Sequence, residues 1–80
     1  MSQRVYRPGA RVVFVRQHPY QLRGMRRDEW LAVHVGETGE VIEQIPGGAC
    51  WVLMPDGRRV LPPADRIERD RAPRAGTVRP

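Results

Sequence analysis

Residues 49–61 read Ala-Cys-Trp-Val-Leu-Met-Pro-Asp-Gly-Arg-Arg-Val-Leu, and this stretch decides the fold class. Two apolar segments lie on either side of the Asp56-Gly57 pair. An Asp-Gly pair between extended segments favours a β-hairpin, because a type I′ turn needs two residues that tolerate positive φ. We therefore predict a strand at 49–54, a tight turn at 55–58 and a return strand at 59–61.

The side chains of the first hairpin strand should alternate between two faces of a sheet. We assign Val52 and Met54 to the core, which places Trp51 on the outer side. Trp51 forms a contact patch there unless Trp30 or the N-terminal arm, through Tyr6, covers it.

Three further segments outside the hairpin are typical of strands. Residues 11–15, Arg-Val-Val-Phe-Val, follow a Pro-Gly turn and are rich in β-branched residues. Residues 40–45 follow a glycine-containing break, and residues 66–68 form a short closing strand. Two prolines in residues 62–65 cannot continue a sheet ladder and favour a 3₁₀ turn before the closing strand.

Residues 16–30 show neither a helical nor a strand period, and they predict a long, arginine-studded loop. The end of this loop has two interpretations. Residues 28–31 suit a single helical turn capped by Asp28. Residues 30–35 alternate as a strand does, and this alternation favours the strand.

Five short strands, a long first loop and a 3₁₀ turn before the last strand predict an all-β domain. The residues that carry a resemblance to known proteins are Pro8-Gly9-Ala10-Arg11-Val12, Gly36-Glu37-Thr38-Gly39-Glu40-Val41 and Pro55-Asp56-Gly57-Arg58-Arg59-Val60-Leu61-Pro62. The chain resembles the SH3-like small β-barrel superfamily. Two branches are similar: the KOW-type modules of ribosomal and transcription-elongation proteins, and the accessory barrels of electron-transfer complexes or of the nitrile hydratase β type. The resemblance implies a five-stranded SH3-like barrel.

The chain has 80 residues, which is enough for one domain. We place the barrel at 8–69, after an N-terminal arm at 1–7. Residues 70–80 are rich in arginine, proline and alanine and predict a disordered tail. No run of about 18 apolar residues predicts a membrane span, so no membrane partner is expected. The single cysteine, Cys50, cannot form an internal disulfide and suits the reducing cytoplasm.

The charge is divided into blocks along the chain. Residues 1–27 contain seven arginines and no acid, residues 28–57 contain six acids and no base, and residues 58–80 contain seven arginines against three acids. The blocks either neutralise one another across neighbouring strands or form a two-faced surface with a basic patch.

Catalytic chemistry has little support in the sequence. No Cys and His spacing resembles a zinc site, and no phosphate loop or dinucleotide fingerprint is present. Cys50 lies within an apolar strand, as a buried thiol does. We therefore expect no enzymatic activity, no catalytic, metal or cofactor residues, and no small-molecule substrate.

Binding is better supported than catalysis. We predict a module that docks on nucleic acid or a nucleoprotein complex through the arginine-rich first loop, because arginine contacts phosphates and tyrosine stacks on bases. The same residue types are enriched at protein interfaces, so a protein-binding accessory or regulatory subunit of a larger complex is the alternative. The predicted binding residues are Arg16, Tyr20, Arg23, Arg26, Arg27 and Trp51.

Overall fold

The computed structural model describes residues 4–71 of the chain. The predicted disordered tail at 70–80 therefore lies outside the described residues, apart from its first two positions. The strands are β1 (Arg11–Phe14), β2 (His18–Tyr20), β3 (Leu31–Val33), β4 (Thr38–Gln44), β5 (Cys50–Leu53), β6 (Arg59–Val60) and β7 (Ile67–Arg69), with a 3₁₀ turn (Ala64–Arg66) before β7. The predicted all-β class is confirmed for this part of the chain. Between residues 4 and 71 there is no helix of the length and apolar character that a bilayer crossing requires.

Five of the strands form an antiparallel sheet in the order β6-β5-β4-β1-β7. These are the five strands that the sequence predicts. Strands β2 and β3 pair with each other as a separate two-stranded ribbon. Strand pairing within residues 4–71 does not close the two sheets into a barrel.

The ribbon corrects the prediction of a continuous loop over residues 16–30. β2 covers only three residues, which is too short for a period to show in the sequence, and its pairing partner lies more than ten residues away. Pro19 has no N–H, but a strand with a free edge tolerates proline. The helical turn considered for residues 28–31 does not form, and the strand interpretation is confirmed by β3.

The core lies between the ribbon and one face of the five-stranded sheet. Every strand of the sheet contributes at least one buried side chain to it, and the ribbon contributes Val33. Val52 and Met54 are buried, as predicted, and Trp51 faces outward with 38% of its surface exposed. Tyr6 does not cover Trp51, because Tyr6 is itself part of the buried core.

Strands β4 and β5 approach most closely at Gly39. A Cβ atom at this position would lie 2.5 Å from Cγ1 of Val52 and 3.0 Å from the main-chain oxygen of Leu53. The absence of a side chain is therefore what allows this spacing. The register of the same pair shifts between Val41 and Glu43, which is a β-bulge at Ile42.

The N-terminal arm lies against the end of the sheet. The Tyr6 hydroxyl and the Arg4 guanidinium both donate to the main-chain oxygen of Ile67, at 3.1 Å each. The Gln44 side chain accepts from the main-chain N–H of Tyr6 at 3.0 Å and donates to the main-chain oxygen of Arg4 at 2.9 Å. These contacts join the arm to β7 and β4.

Candidate binding surface

The inner face of the ribbon consists of four side chains. His18 pairs with Val33 and Tyr20 pairs with Leu31, so all four point to the same side. The His18 ring lies between those of Phe14 and Tyr20, with centroid distances of 6.3 and 6.2 Å. Burial, with a smaller contribution from the Arg66 charge, lowers the pKa of His18.

Arg58 connects the ribbon to the hairpin of the main sheet. Its guanidinium donates to the Tyr20 hydroxyl at 2.7 Å, to Glu37 Oε1 at 3.2 Å and to Asp56 Oδ2 at 2.6 Å. The first contact reaches β2, the second reaches the turn before β4, and the third stays within the Asp-Gly turn. One side chain therefore joins three segments that are far apart in the sequence.

The protonation equilibria of this cluster follow from its hydrogen bonds. The pKa of Arg58 is raised, mainly by its hydrogen bond to the Tyr20 hydroxyl. The main-chain N–H of Arg58 donates to Asp56 Oδ1 at 3.1 Å and is the main cause that lowers the pKa of the Asp56 carboxyl. Because Arg58 is bound to two carboxylates, its charge is largely satisfied within the molecule.

The loop between β2 and β3 is organised by Gln21. Its amide nitrogen lies 3.2 Å from the main-chain oxygen of Arg26, 3.1 Å from that of Arg27 and 2.7 Å from that of Glu29. Two turns complete the loop, closed by hydrogen bonds from Met25 to Leu22 and from Glu29 to Arg26. We name residues 21–31 the ribbon tip.

The ribbon tip exposes large apolar side chains next to arginines. Trp30 is 61% exposed, Leu22 is 50% exposed and Leu31 is 38% exposed. The bond between Gln21 and Glu29 holds the two sides of the loop together, which brings the chain segments of Leu22 and Trp30 side by side. Arg23 and Arg27 are exposed on the same loop.

Only part of the arginine charge at the ribbon tip is free. Arg26 Nε lies 3.6 Å from a Glu29 oxygen and 4.0 Å from an Asp28 oxygen. Arg23 and Arg27 form no ion pair with any residue of the described chain. Three arginines and two acids therefore share this loop, so it is amphipathic and only weakly cationic.

A second exposed apolar area lies on the outer face of the main sheet. Ile42, Trp51 and Leu53 are each exposed by 38–39%. Glu43 pairs with Trp51 and Glu40 pairs with Leu53, so carboxylates flank the apolar side chains. This face is apolar and acidic, in contrast to the ribbon tip.

The six predicted binding residues do not form one surface. Arg23, Arg26 and Arg27 lie together on the ribbon tip. Arg16 precedes β2 at the opposite end of the ribbon, and Trp51 lies on the outer face of β5. The Tyr20 hydroxyl accepts the hydrogen bond from Arg58, so this residue has a structural contact within the protein.

Sequence reasoning missed the roles of Arg58 and Gln21 and left the exposure of Trp30 open. Arg58 belongs to the recognisable hairpin turn, but nothing local indicates its contacts to Tyr20 and Glu37, which are 38 and 21 residues away. Gln21 forms its hydrogen bonds within its own loop. The only local indication of this role is an amide side chain among residues that favour turns.

Residues 4–71 contain no group of three or more His, Cys, Asp and Glu side chains arranged to hold a metal ion. Cys50 is buried, and burial raises the pKa of its thiol. No protein-family model, curated protein or solved structure matches this chain. The site must therefore be interpreted from its own geometry.

Proposed function

We propose that this protein is a small non-enzymatic module that binds another protein through the ribbon tip, as an accessory or regulatory subunit of a larger complex. The observation that carries the proposal is the exposure of Trp30 and Leu22 on neighbouring segments of a loop with ordered hydrogen bonds. Tryptophan and arginine dominate the binding energy of many protein interfaces, and apolar side chains grouped on a surface are typical of such sites.

The charge of the ribbon tip supports a protein partner over a polyanion. A nucleic-acid interface gains most of its affinity from arginines that neutralise phosphates. At the ribbon tip, Arg26 is already paired with two acids, and Arg16 lies at the other end of the ribbon. A protein partner requires no continuous basic surface.

Binding to a nucleic acid or nucleoprotein complex is the second candidate function. Arg23 and Arg27 have no acidic partner between residues 4 and 71, and Trp30 is an exposed aromatic side chain on the same loop. An aromatic ring that stacks on a base, together with arginines that contact the backbone, is a common way to bind single strands.

The fold family and the cellular location of the protein are proposed on separate observations. We propose that the fold is an SH3-like barrel, supported by the antiparallel order β6-β5-β4-β1-β7 and by the 3₁₀ turn directly before β7. We propose a cytoplasmic location, supported by the free thiol of Cys50.

The test is affinity capture from nuclease-treated lysate of the source cells, comparing the wild type with Trp30→Ala. We expect a protein partner that survives nuclease and whose affinity for Trp30→Ala falls by roughly tenfold or more, as for a central interface tryptophan. Val35→Ala is the matched control, because Val35 is 64% exposed but lies outside the ribbon tip. This variant should capture the partner as the wild type does.

Two results would contradict the protein-binding proposal. Equal capture by the wild type and Trp30→Ala would show that the ribbon tip is not the interface. Loss of every partner on nuclease treatment would favour the second candidate. Titration of labelled RNA and DNA at two salt concentrations would then have to show tighter binding at the lower one.

A further inference from the structure

Strand β7 is the outer strand of the main sheet, next to β1. The main-chain groups of Phe14 bond toward the β4 side, because its N–H donates to Glu37 and its oxygen accepts from Gly36. The main-chain N–H and C=O groups of residues two apart in a strand point to the same side, so those of Val12 also face β4. Arg69 is the partner of Val12 on β7, so its main-chain N–H and C=O point away from β1.

The hydrogen bonds at both ends of β7 agree with this alternation. Val15 donates to the main-chain oxygen of Arg66, and Asp70 donates to that of Arg11. The residues of β7 that face β1 are therefore Arg66, Glu68 and Asp70, and those that face outward are Ile67 and Arg69.

The two outward-facing residues differ in how their main-chain groups are satisfied. The Ile67 oxygen accepts from Arg4 and Tyr6, and the Ile67 N–H donates to the main-chain oxygen of Ala64. No hydrogen bond joins the outward N–H and C=O of Arg69 to another residue of the described chain. The N-terminal arm thus protects one outward position of the sheet edge and leaves the next one open.

The open position borders a cleft between the N-terminal arm and β7. Its volume is about 540 Å³, and it is lined by Arg4, Val5, Tyr6, Glu68, Arg69 and Arg71. Val5 is 73% exposed and gives the cleft an apolar contact. The cleft combines an unpaired strand edge, an apolar side chain and an excess of positive charge.

The charge of the cleft selects an acidic occupant. Among the residues of 4–71 that line the cleft, three arginines face one carboxylate. Arg4 lies 3.9 Å from Glu68, with both side chains about half exposed. An exposed pair at this distance contributes little, so Arg4 can exchange it for a carboxylate of a ligand. Residues 72–80 of this chain contain two arginines and no acid, so the charge does not favour its own C-terminal segment as the occupant.

We propose that an acidic, extended peptide segment of a partner protein adds to the edge of β7 at Arg69. Its main chain bonds to the N–H and C=O of Arg69, as in strand addition to an open sheet edge, and its carboxylates contact Arg4, Arg69 and Arg71. This site is distinct from the ribbon tip and does not rest on the function proposed for it.

The probe is a fluorescein-labelled peptide of about seven residues that alternates glutamate and valine, a length that suits one strand. Titration into ¹⁵N-labelled protein should shift the amide signal of Arg69, and anisotropy should give saturable binding. A second peptide with proline in place of valine keeps the carboxylates but loses the main-chain N–H donor at every valine position. We expect it to bind at least about tenfold more weakly if main-chain pairing carries the complex.

Matched charge reversals locate the site on the protein. The double variant Arg69→Glu, Arg71→Glu should weaken the valine peptide by about tenfold or more, since it replaces attraction with repulsion. The double variant Arg23→Glu, Arg27→Glu makes the same change of charge on the ribbon tip and should leave peptide affinity close to that of the wild type.

Three outcomes would overturn the proposal. Equal affinity for the valine and proline peptides would show a purely electrostatic contact without strand addition. Equal weakening by the two double variants would show that only net charge matters. Displacement of the peptide by a short single-stranded DNA that itself shifts the Arg69 amide would assign the cleft to nucleic acid. The ribbon-tip proposal survives each result, because its test depends on Trp30.

Discussion

His18 is a half-buried histidine on the inner face of the ribbon. Its ring lies between Phe14 and Tyr20 on the inner face of the ribbon, and burial lowers its pKa. The folded protein therefore resists protonation of this side chain more than the unfolded chain does.

The lowered pKa of His18 predicts a loss of stability in mild acid. Above an unfolded-state pKa of about 6.5, His18 is neutral in both states and its favourable contribution is complete. As the pH falls below that value, the unfolded state takes up the proton first, so the free energy of unfolding decreases. Urea denaturation at a series of pH values between neutrality and mild acid measures this decrease.

The control for this prediction is the second histidine. His18→Gln should flatten the pH dependence relative to the wild type, whereas the same substitution at His34, which is exposed, should preserve it. An unchanged pH profile in His18→Gln would contradict the assignment of this pH dependence to the half-buried His18 ring.

At the scale of elements, the ribbon is held in place by its inner face and by Arg58. Strand pairing does not join β2 and β3 to the main sheet, so side-chain contacts must position them. The hydrogen bond of 2.7 Å from Arg58 to the Tyr20 hydroxyl is the direct polar link between the hairpin and β2. The orientation of the ribbon tip therefore depends on a residue in a different part of the chain.

A double-mutant cycle of Tyr20→Phe and Arg58→Gln tests this link. We expect a coupling energy of about 1 kcal/mol, the usual net value of one hydrogen bond between side chains in contact. Chemical denaturation of the four proteins measures it. Asp56→Asn paired with Tyr20→Phe is the control, because Asp56 contacts Arg58 but not Tyr20, and its coupling should be smaller. A cycle without coupling between Tyr20 and Arg58 would show that this hydrogen bond does not help to position the ribbon.

At the scale of the whole molecule, the core is small and is formed by side chains from every part of the described fold. The buried side chains come from the arm, the ribbon and all strands of the main sheet. A chain of this length has a total stability of about 4–12 kcal/mol, so the loss of one large core side chain is a large fraction of it.

Phe14→Ala should destabilise the protein by about 3–5 kcal/mol, because it removes a fully buried ring that contacts both the sheet and the ribbon. Thermal or urea unfolding measures the effect. The matched control is Leu53→Ala on the outer face, where Leu53 is already 39% exposed. This variant should lose clearly less stability than Phe14→Ala. Equal losses at the two positions would contradict the placement of the core on one face of the sheet.

Local sequence signals determined the strands of the main sheet. The Asp-Gly pair, the β-branched run at 11–15 and the alternation around Trp51 depend only on residues close in the chain, so they were sufficient to predict the strands. The predicted type I′ turn is wrong, because Gly57 has positive φ (94°) but Asp56 does not, and the turn is closed by a hydrogen bond from the Gly57 N–H to the Met54 oxygen. The same alternation placed Val52 and Met54 in the core and Trp51 outside, as the structure shows.

Only the tertiary structure decided β2, the position of Tyr6 and the dispersal of the predicted binding residues. Strand β2 has three residues and acquires its conformation by pairing with β3, and Tyr6 reaches the core by bonding to Ile67, 61 residues away. The sequence showed arginines that are close together in the chain, but the ribbon places Arg16 at one end and Arg23 at the other. Contacts between distant residues determine these features, and no local pattern of residue types encodes which distant partners will meet.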